Sequence, residues 1–250
     1  MRVVVCGTAA AAGDLGAAVV AARLNEVLAT RERARLLLST GQSQFETLRS
    51  LVSRPVEWDR VDAFHLDEYA GLPREHPASF RRYLGERVAS VVPLCMHYVD
   101  PSSPEDLRRV SEAVAESPMD VALVGIGQNG HIAFNDPPAD FTARSPYIEV
   151  ELDAACRAQQ VHEGWFAADA DVPRRAITMS VQEIMRSLEI VSVVPHSAKA
   201  PAIRRLLTSW EVTPELPASV LTRHANTLLV LDRASSQLLP NEVLNRCIVL

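Results

Sequence analysis

From end to end, short aliphatic runs alternate with segments of helical spacing, and this alternation constrains the fold more than any other feature of the chain. Residues 2–6, 35–39, 61–66, 121–124, 189–195 and 226–232 are largely apolar and read as strands, with a further short strand at 96–99. Several are apolar at nearly every position, as strands covered on both faces are. Between them lie helical patterns at 17–28 with Asp14 as the cap, from Ser43 through Leu51, at 79–91, at 104–116 opened by Pro104, at 153–166, and from Lys199 onward. Residues 147–152 alternate and read as a further strand, residues 177–180 lead into a short helix, and the tail to Leu250 carries no clear pattern. The alternation predicts an α/β fold in three layers, with a mostly parallel, Rossmann-like sheet and helices on both faces. No linker or repeat interrupts residues 1–250, so one domain is expected.

Composition removes several function classes. The net charge of -6 argues against binding nucleic acid, whose phosphates demand a basic face. No apolar run approaches the ~20 residues of a membrane span, and the first residues turn polar too soon for a signal peptide. Cys6, Cys95, Cys156 and Cys247 are scattered without a CxxC pair and read as reduced thiols of a cytoplasmic protein. Of the 25 basic residues all but one are arginine. The exception, Lys199, reflects either codon bias or a place that wants a compact ammonium rather than a wide guanidinium. Nothing reports the oligomeric state, and a homo-oligomer stays open.

Chemistry concentrates in Val121-Ala-Leu-Val-Gly-Ile-Gly-Gln-Asn-Gly-His-Ile-Ala-Phe-Asn-Asp-Pro-Pro138. A buried strand runs into a glycine-rich turn that presents His131. Gly125, Gly127 and Gly130 match the dinucleotide fingerprint literally, but that fingerprint opens a long helix. Here Pro137 and Pro138 block one, so no nucleotide cofactor is expected. Asn129 and Asp136 can each hydrogen-bond an imidazole and fix its tautomer, which makes His131 an acid/base candidate. Asp67 and Glu68 end another strand and are candidates for a general base, or else solvate a loop or cap a helix. His65 and Asp67 share a strand face, but no third ligand has suitable spacing, so no metal is expected. Gly41, Gln42 and Ser43 join a strand to a helix start, where backbone N–H groups cradle anions. The alternative is that Ser43 only caps its helix, with Glu46 completing a capping box.

Three stretches together resemble the glucosamine-6-phosphate deaminase/isomerase family: Phe64-His-Leu-Asp-Glu-Tyr-Ala-Gly-Leu-Pro-Arg-Glu-His-Pro-Ala-Ser79, Gly125-Ile-Gly-Gln-Asn-Gly-His-Ile-Ala-Phe-Asn-Asp-Pro137 and Ser39-Thr-Gly-Gln-Ser43. The resemblance implies metal-free aldose–ketose isomerisation of a phosphorylated amino sugar, with loss of ammonia and a fructose 6-phosphate-type product. Asp67 then matches the base that moves a proton between C2 and C1, and His131 the residue that assists ring opening. Asn129 and Asp136 take the places of two carboxylates that support the histidine. Gly41, Gln42 and Ser43 occupy the phosphate loop, and Lys199 matches a phosphate-binding lysine.

The departures from the family pattern are specific. Asn129 stands where Asp is usual and Asp136 where Glu is usual. Gln42 and Gln44 replace a small residue and a proline, and an expected phosphate-binding arginine falls at His162, near Arg157. Two other readings fit the same motifs. One is a hydrolase like the 6-phosphogluconolactonases, although Tyr69 and Ile132-Ala-Phe-Asn135 favour the isomerase side. The other is a sugar-phosphate-binding protein without catalysis.

Overall fold

The computed structural model describes residues 1–209 and 211–250. Its strands are β1 (Arg2–Cys6), β2 (Ala34–Leu38), β3 (Val61–His65), β4 (Asp67–Tyr69), β5 (Cys95–His97), β6 (Val121–Leu123), β7 (Tyr147–Glu151), β8 (Arg175–Met179), β9 (Ile190–Val194), β10 (Thr227–Asp232) and β11 (Ile248–Val249). The main helices are α1 (Ala9–Leu28), α2 (Phe45–Val52), α3 (Phe80–Leu84), α4 (Pro104–Glu116), α5 (Ala154–His162), α6 (Val181–Met185) and α7 (Ala200–Ser209). Eight strands form one sheet in the order β11-β1-β10-β9-β6-β2-β3-β5. Every neighbouring pair in it is parallel.

Strand β2 shows why the runs are apolar throughout. Leu36 and Leu38 pack with Val20 and Leu24 of α1 and Leu48 and Leu51 of α2. Leu37, pointing the other way, packs with Val110 and Val114 of α4 and Leu206 and Leu207 of α7. The central strands are covered on both faces, and every residue of β9 and β10 is buried. Each aliphatic side chain so covered contributes about 1.5–3 kcal/mol. The α/β layering is therefore the expected one. No helix among the described residues is long and apolar enough to cross a membrane.

Three local expectations are corrected. Helix α1 begins at Ala9, and its cap is Thr8, whose hydroxyl accepts from the Ala11 N–H at 3.1 Å. Asp14 lies inside the helix and accepts from Ser50 at 2.7 Å and Arg54 at 2.6 Å. Four consecutive alanines carry the helix to its earlier start, because alanine loses no side-chain entropy there. The Ser43–Glu46 capping box does not form. Residues Gln42–Gln44 make a 3₁₀ turn before α2, without a side-chain cap at its start, and Glu46 pairs with Arg49. Finally, the residues after β3 are not a loop. Strand β4 joins β8 and β7 in a separate antiparallel sheet of order β4-β8-β7. The unassigned tail forms two short helices, Arg233–Ser236 and Asn241–Leu244, and β11 on the edge of β1.

Candidate active site

Four central parallel strands, β3, β2, β6 and β9, deliver their carboxyl ends to one place, where open α/β sheets bind ligands. A cleft lies there, lined among others by Gly41, Gln42, Ser43, Asp67, His131 and Lys199. Asn129 and Asp136 sit behind it, against His131. The sequence-predicted residues thus converge, although they span the chain from Gly41 to Lys199.

Asp67 opens β4 and is only 5% exposed. Among the described residues nothing donates a hydrogen bond to its carboxylate. Burial, and secondarily the charge of Glu68, raises its carboxyl well above the usual range. Strand alternation turns Glu68 the other way. Its carboxylate accepts from the N–H groups of Tyr69 (3.0 Å), Phe80 (3.1 Å) and Arg81 (2.8 Å) and from the Ser79 hydroxyl (2.9 Å). The Arg81 guanidinium adds a contact at 3.3 Å. Of the two adjacent acids, Glu68 is the one that caps a helix, α3, and Asp67 is the one that faces the cleft.

His131 depends on Gly127. A Cβ at Gly127 would overlap the imidazole ring, so the ring can lie there only because the side chain is absent. The Gly127 N–H also donates to the His131 carbonyl at 2.9 Å. Nδ1 of His131 lies 2.9 Å from Asp136 Oδ1, yet the approach is bent away from hydrogen-bond geometry. Burial works to raise the Asp136 carboxyl, but His131 and Asn129 together hold it below its ordinary value. The Asn129 amide joins the set, donating to Asp136 Oδ1 at 3.1 Å while its oxygen accepts the His131 backbone N–H at 3.0 Å. Asn135 ties the turn to the second sheet by donating to the carbonyls of Ile132 (3.0 Å) and Met179 (2.9 Å).

The opposite side of the cleft comes from β2 and β9. Gly41, at φ +99°, turns the chain out of β2 in a conformation that favours glycine. Its carbonyl accepts from the Tyr83 hydroxyl at 2.9 Å. Buried Gln44 anchors the loop from below, donating to the Val193 carbonyl at 3.1 Å and the Ser43 hydroxyl at 3.3 Å. Lys199 ends the 3₁₀ turn Ser197–Lys199 after β9 and is 6% exposed. Among the described residues its ammonium has no salt-bridge partner. Burial lowers its basicity, opposed by the charge of Glu163. A buried cation beside an open loop of N–H groups is suited to an incoming anion.

Helix α5 and the residue that caps its end supply residues that sequence reasoning missed: Gln159, Gln160 and Glu163 line the cleft. The Tyr69 hydroxyl donates to Gln160 at 2.7 Å, and Gln159 donates to Glu163 at 2.7 Å. Their signal was the three-and-four spacing, which marks one helix face. Neither His162 nor Arg157 lines the cleft. Arg157 instead donates to the Leu152 carbonyl at 2.7 Å and pairs with Asp169 at 3.0 Å. His131, Asp136 and Cys156 bring ligand atoms within 4.8 Å of one another. Burial pushes the Cys156 thiol up.

A parallel α/β sheet with a carboxylate, an imidazole and a glycine loop gathered at its strand ends places the chain among Rossmann-like proteins with a cleft at the carboxyl edge of the sheet. More narrowly, the chain belongs to the family of glucosamine-6-phosphate isomerases and 6-phosphogluconolactonases, whose pattern matches residues 8–230. It is 34% identical over 219 residues to a glucosamine-6-phosphate deaminase of Bacillus cereus, covering 86% of this chain and 82% of that one. It is 35% identical over 216 residues to a glucosamine-6-phosphate deaminase of a Geobacillus species, covering 82% and 84%. Among solved structures it resembles a monomeric glucosamine-6-phosphate deaminase, with a TM-score of 0.86 at 28% identity over 95% of this chain and all of the other. A 6-phosphogluconolactonase of Thermotoga maritima shares the fold, with a TM-score of 0.75 at 17% identity over 93% of this chain and all of the other.

Proposed function

We propose that this chain is a glucosamine-6-phosphate deaminase, converting the amino-sugar phosphate and one water to fructose 6-phosphate and ammonia. The observation that carries the reading is that one cleft holds Asp67, His131 and Lys199 together. The substrate phosphate sits between the Lys199 ammonium and the Gly41–Ser43 loop. Asp136 holds the imidazole by Nδ1, which leaves Nε2 to move a proton between the anomeric hydroxyl and the ring oxygen as the sugar opens. The Asp67 carboxylate then removes the proton from C2, giving an enolamine of the enediol type, and returns a proton to C1. The resulting imine is hydrolysed, with release of ammonia.

The unpaired state of Asp67 suits this role, since its raised basicity brings it nearer to the operating pH. Asn129 and Asp136 are positioning residues that act through His131. The four free cysteines accord with a cytoplasmic setting. The test is incubation of the purified protein with glucosamine 6-phosphate. Equal yields of ammonia and ketose phosphate support the reading, and a folded protein without turnover refutes it. Efficient hydrolysis of 6-phosphogluconolactone in a parallel assay would move the chain to the hydrolase side of the family.

A further inference from the structure

Strand β5 is one edge of the large sheet, and it carries Cys95 and His97 two residues apart. Both therefore stand on one face. The strand pairs with β3 in the register Asp62↔Cys95 and Phe64↔His97, which sets Asp62 on that same face beside the thiol. His97 Nε2 lies 3.7 Å from Cys95 Sγ and 3.4 Å from Asp62 Oδ1, and the three ligand-type atoms are within 4.8 Å of one another. A tetrahedral zinc ion, with bonds of about 2.3 Å to sulfur and about 2.0–2.1 Å to nitrogen and oxygen, holds S and N about 3.6 Å apart and N and O about 3.3 Å apart. The side chains already stand at those separations.

Their orientations are fixed by neighbours. The His97 ring stacks on Phe64 with centroids 4.5 Å apart and planes 7° apart. Arg33 grips the Asp62 carboxylate through Nε at 2.6 Å and Nη2 at 2.9 Å, as outer partners of metal-ligating carboxylates do. Cys95 and His97 open into a groove beside α4 that shares no lining residue with the cleft of Asp67 and His131. The groove offers an entry path and room for a fourth ligand.

We propose that Asp62, Cys95 and His97 form a binding site for a divalent cation of the zinc type, remote from the catalytic cleft. A thiolate, an imidazole and one carboxylate are a borderline-soft donor set, which favours zinc over calcium or magnesium. The fourth position stays open to solvent. The ligand set is created by strand register, so it could not be seen as a metal motif in the sequence.

The test uses the full chain, stripped with chelator and desalted, then titrated with Zn²⁺ by calorimetry and with Co²⁺ by absorbance. One zinc per chain is expected, together with thiolate-to-cobalt charge transfer and the intense d–d bands of tetrahedral cobalt. Cys95→Ser and His97→Ala should abolish both signals while keeping wild-type circular dichroism and turnover of glucosamine 6-phosphate. Cys156→Ser, in the other cluster of ligand-type atoms, should keep them. Absence of stoichiometric zinc, or cobalt bands that survive Cys95→Ser or vanish in Cys156→Ser, overturns the proposal. Should a variant misfold, alkylation of the wild-type protein decides. Zinc should shield exposed Cys95 from iodoacetamide, and equal labelling with and without zinc overturns the site.

Discussion

Replacing Asp67 with Asn separates catalysis from stability. The side chain is buried, accepts no hydrogen bond among the described residues, and has Glu68 as its neighbour. Asn keeps the shape and removes the ionisable group. A positioned general base contributes roughly 10²–10⁴-fold to rate, or about 3–5 kcal/mol. Loss of turnover of at least that size, with little change in KM, is expected. Stability should move the other way. The folded-state pKa of Asp67 is raised, so its protonated form is favoured on folding. The stability this gives is fully present below the unfolded value of about 3.9 and is lost as pH rises through the folded value. Each unit of that rise costs about 1.4 kcal/mol once the group ionises. The Asn variant has no such loss. Its burial cost is independent of pH, so its stability relative to wild type should climb from mildly acidic pH toward neutrality. Denaturant unfolding at a series of pH values, alongside an ammonia-coupled assay, measures both effects. A variant that keeps activity within tenfold of wild type, or a stability difference that does not change with pH, refutes the reasoning.

Lys199→Met should raise KM for the sugar phosphate roughly tenfold to a hundredfold, because a charge-assisted hydrogen bond is worth about 1.5–3 kcal/mol; steady-state kinetics and loss of inhibition by inorganic phosphate check it. Gly127→Ala should displace the His131 ring and lower kcat/KM by about a hundredfold, with circular dichroism unchanged. Glu68→Ala should destabilise the fold by about 1–3 kcal/mol, since it leaves the buried N–H groups at the start of α3 without their acceptor while Arg81 keeps its pair with Asp100; thermal and denaturant unfolding measure it. Asn129→Asp should cost about 1–3 kcal/mol of stability at neutral pH, because it replaces the donor 3.1 Å from Asp136 by a like charge. That loss should fade as pH falls far enough to protonate one of the two carboxyls, which melting curves across pH would show.

The large sheet was legible because each of its central strands is covered on both faces, which forces aliphatic residues at nearly every position. The second sheet was not. Strand β4 is three residues long and polar at Asp67 and Glu68, and its partner β8 lies about a hundred residues onward, so register alone makes it a strand. The start of α1 was misplaced for a different reason. Thr8 and Asp14 are both competent caps, and only the packed structure shows that the alanine run between them is helical.

The cleft was legible wherever a residue's chemistry coincided with a strand end, as at Asp67, His131 and Lys199. It was illegible where a helix is laid across from elsewhere. Helix α5 brings Glu163 to the cleft, and Gln42 donates to the Glu163 carbonyl at 2.5 Å. The unusual glutamine of the Gly41–Ser43 loop thus has a partner at the end of the helix from which the expected arginine is missing. The Asn129 substitution is explained by the same kind of coupling. One amide satisfies both Asp136 and the His131 backbone N–H, which an ionised carboxylate could not do, since it donates nothing. A single negative charge at Asp136 therefore serves the histidine. The two departures at 129 and 136 are best understood as one arrangement: the amide holds the shorter carboxylate against His131 without placing a second charge beside it.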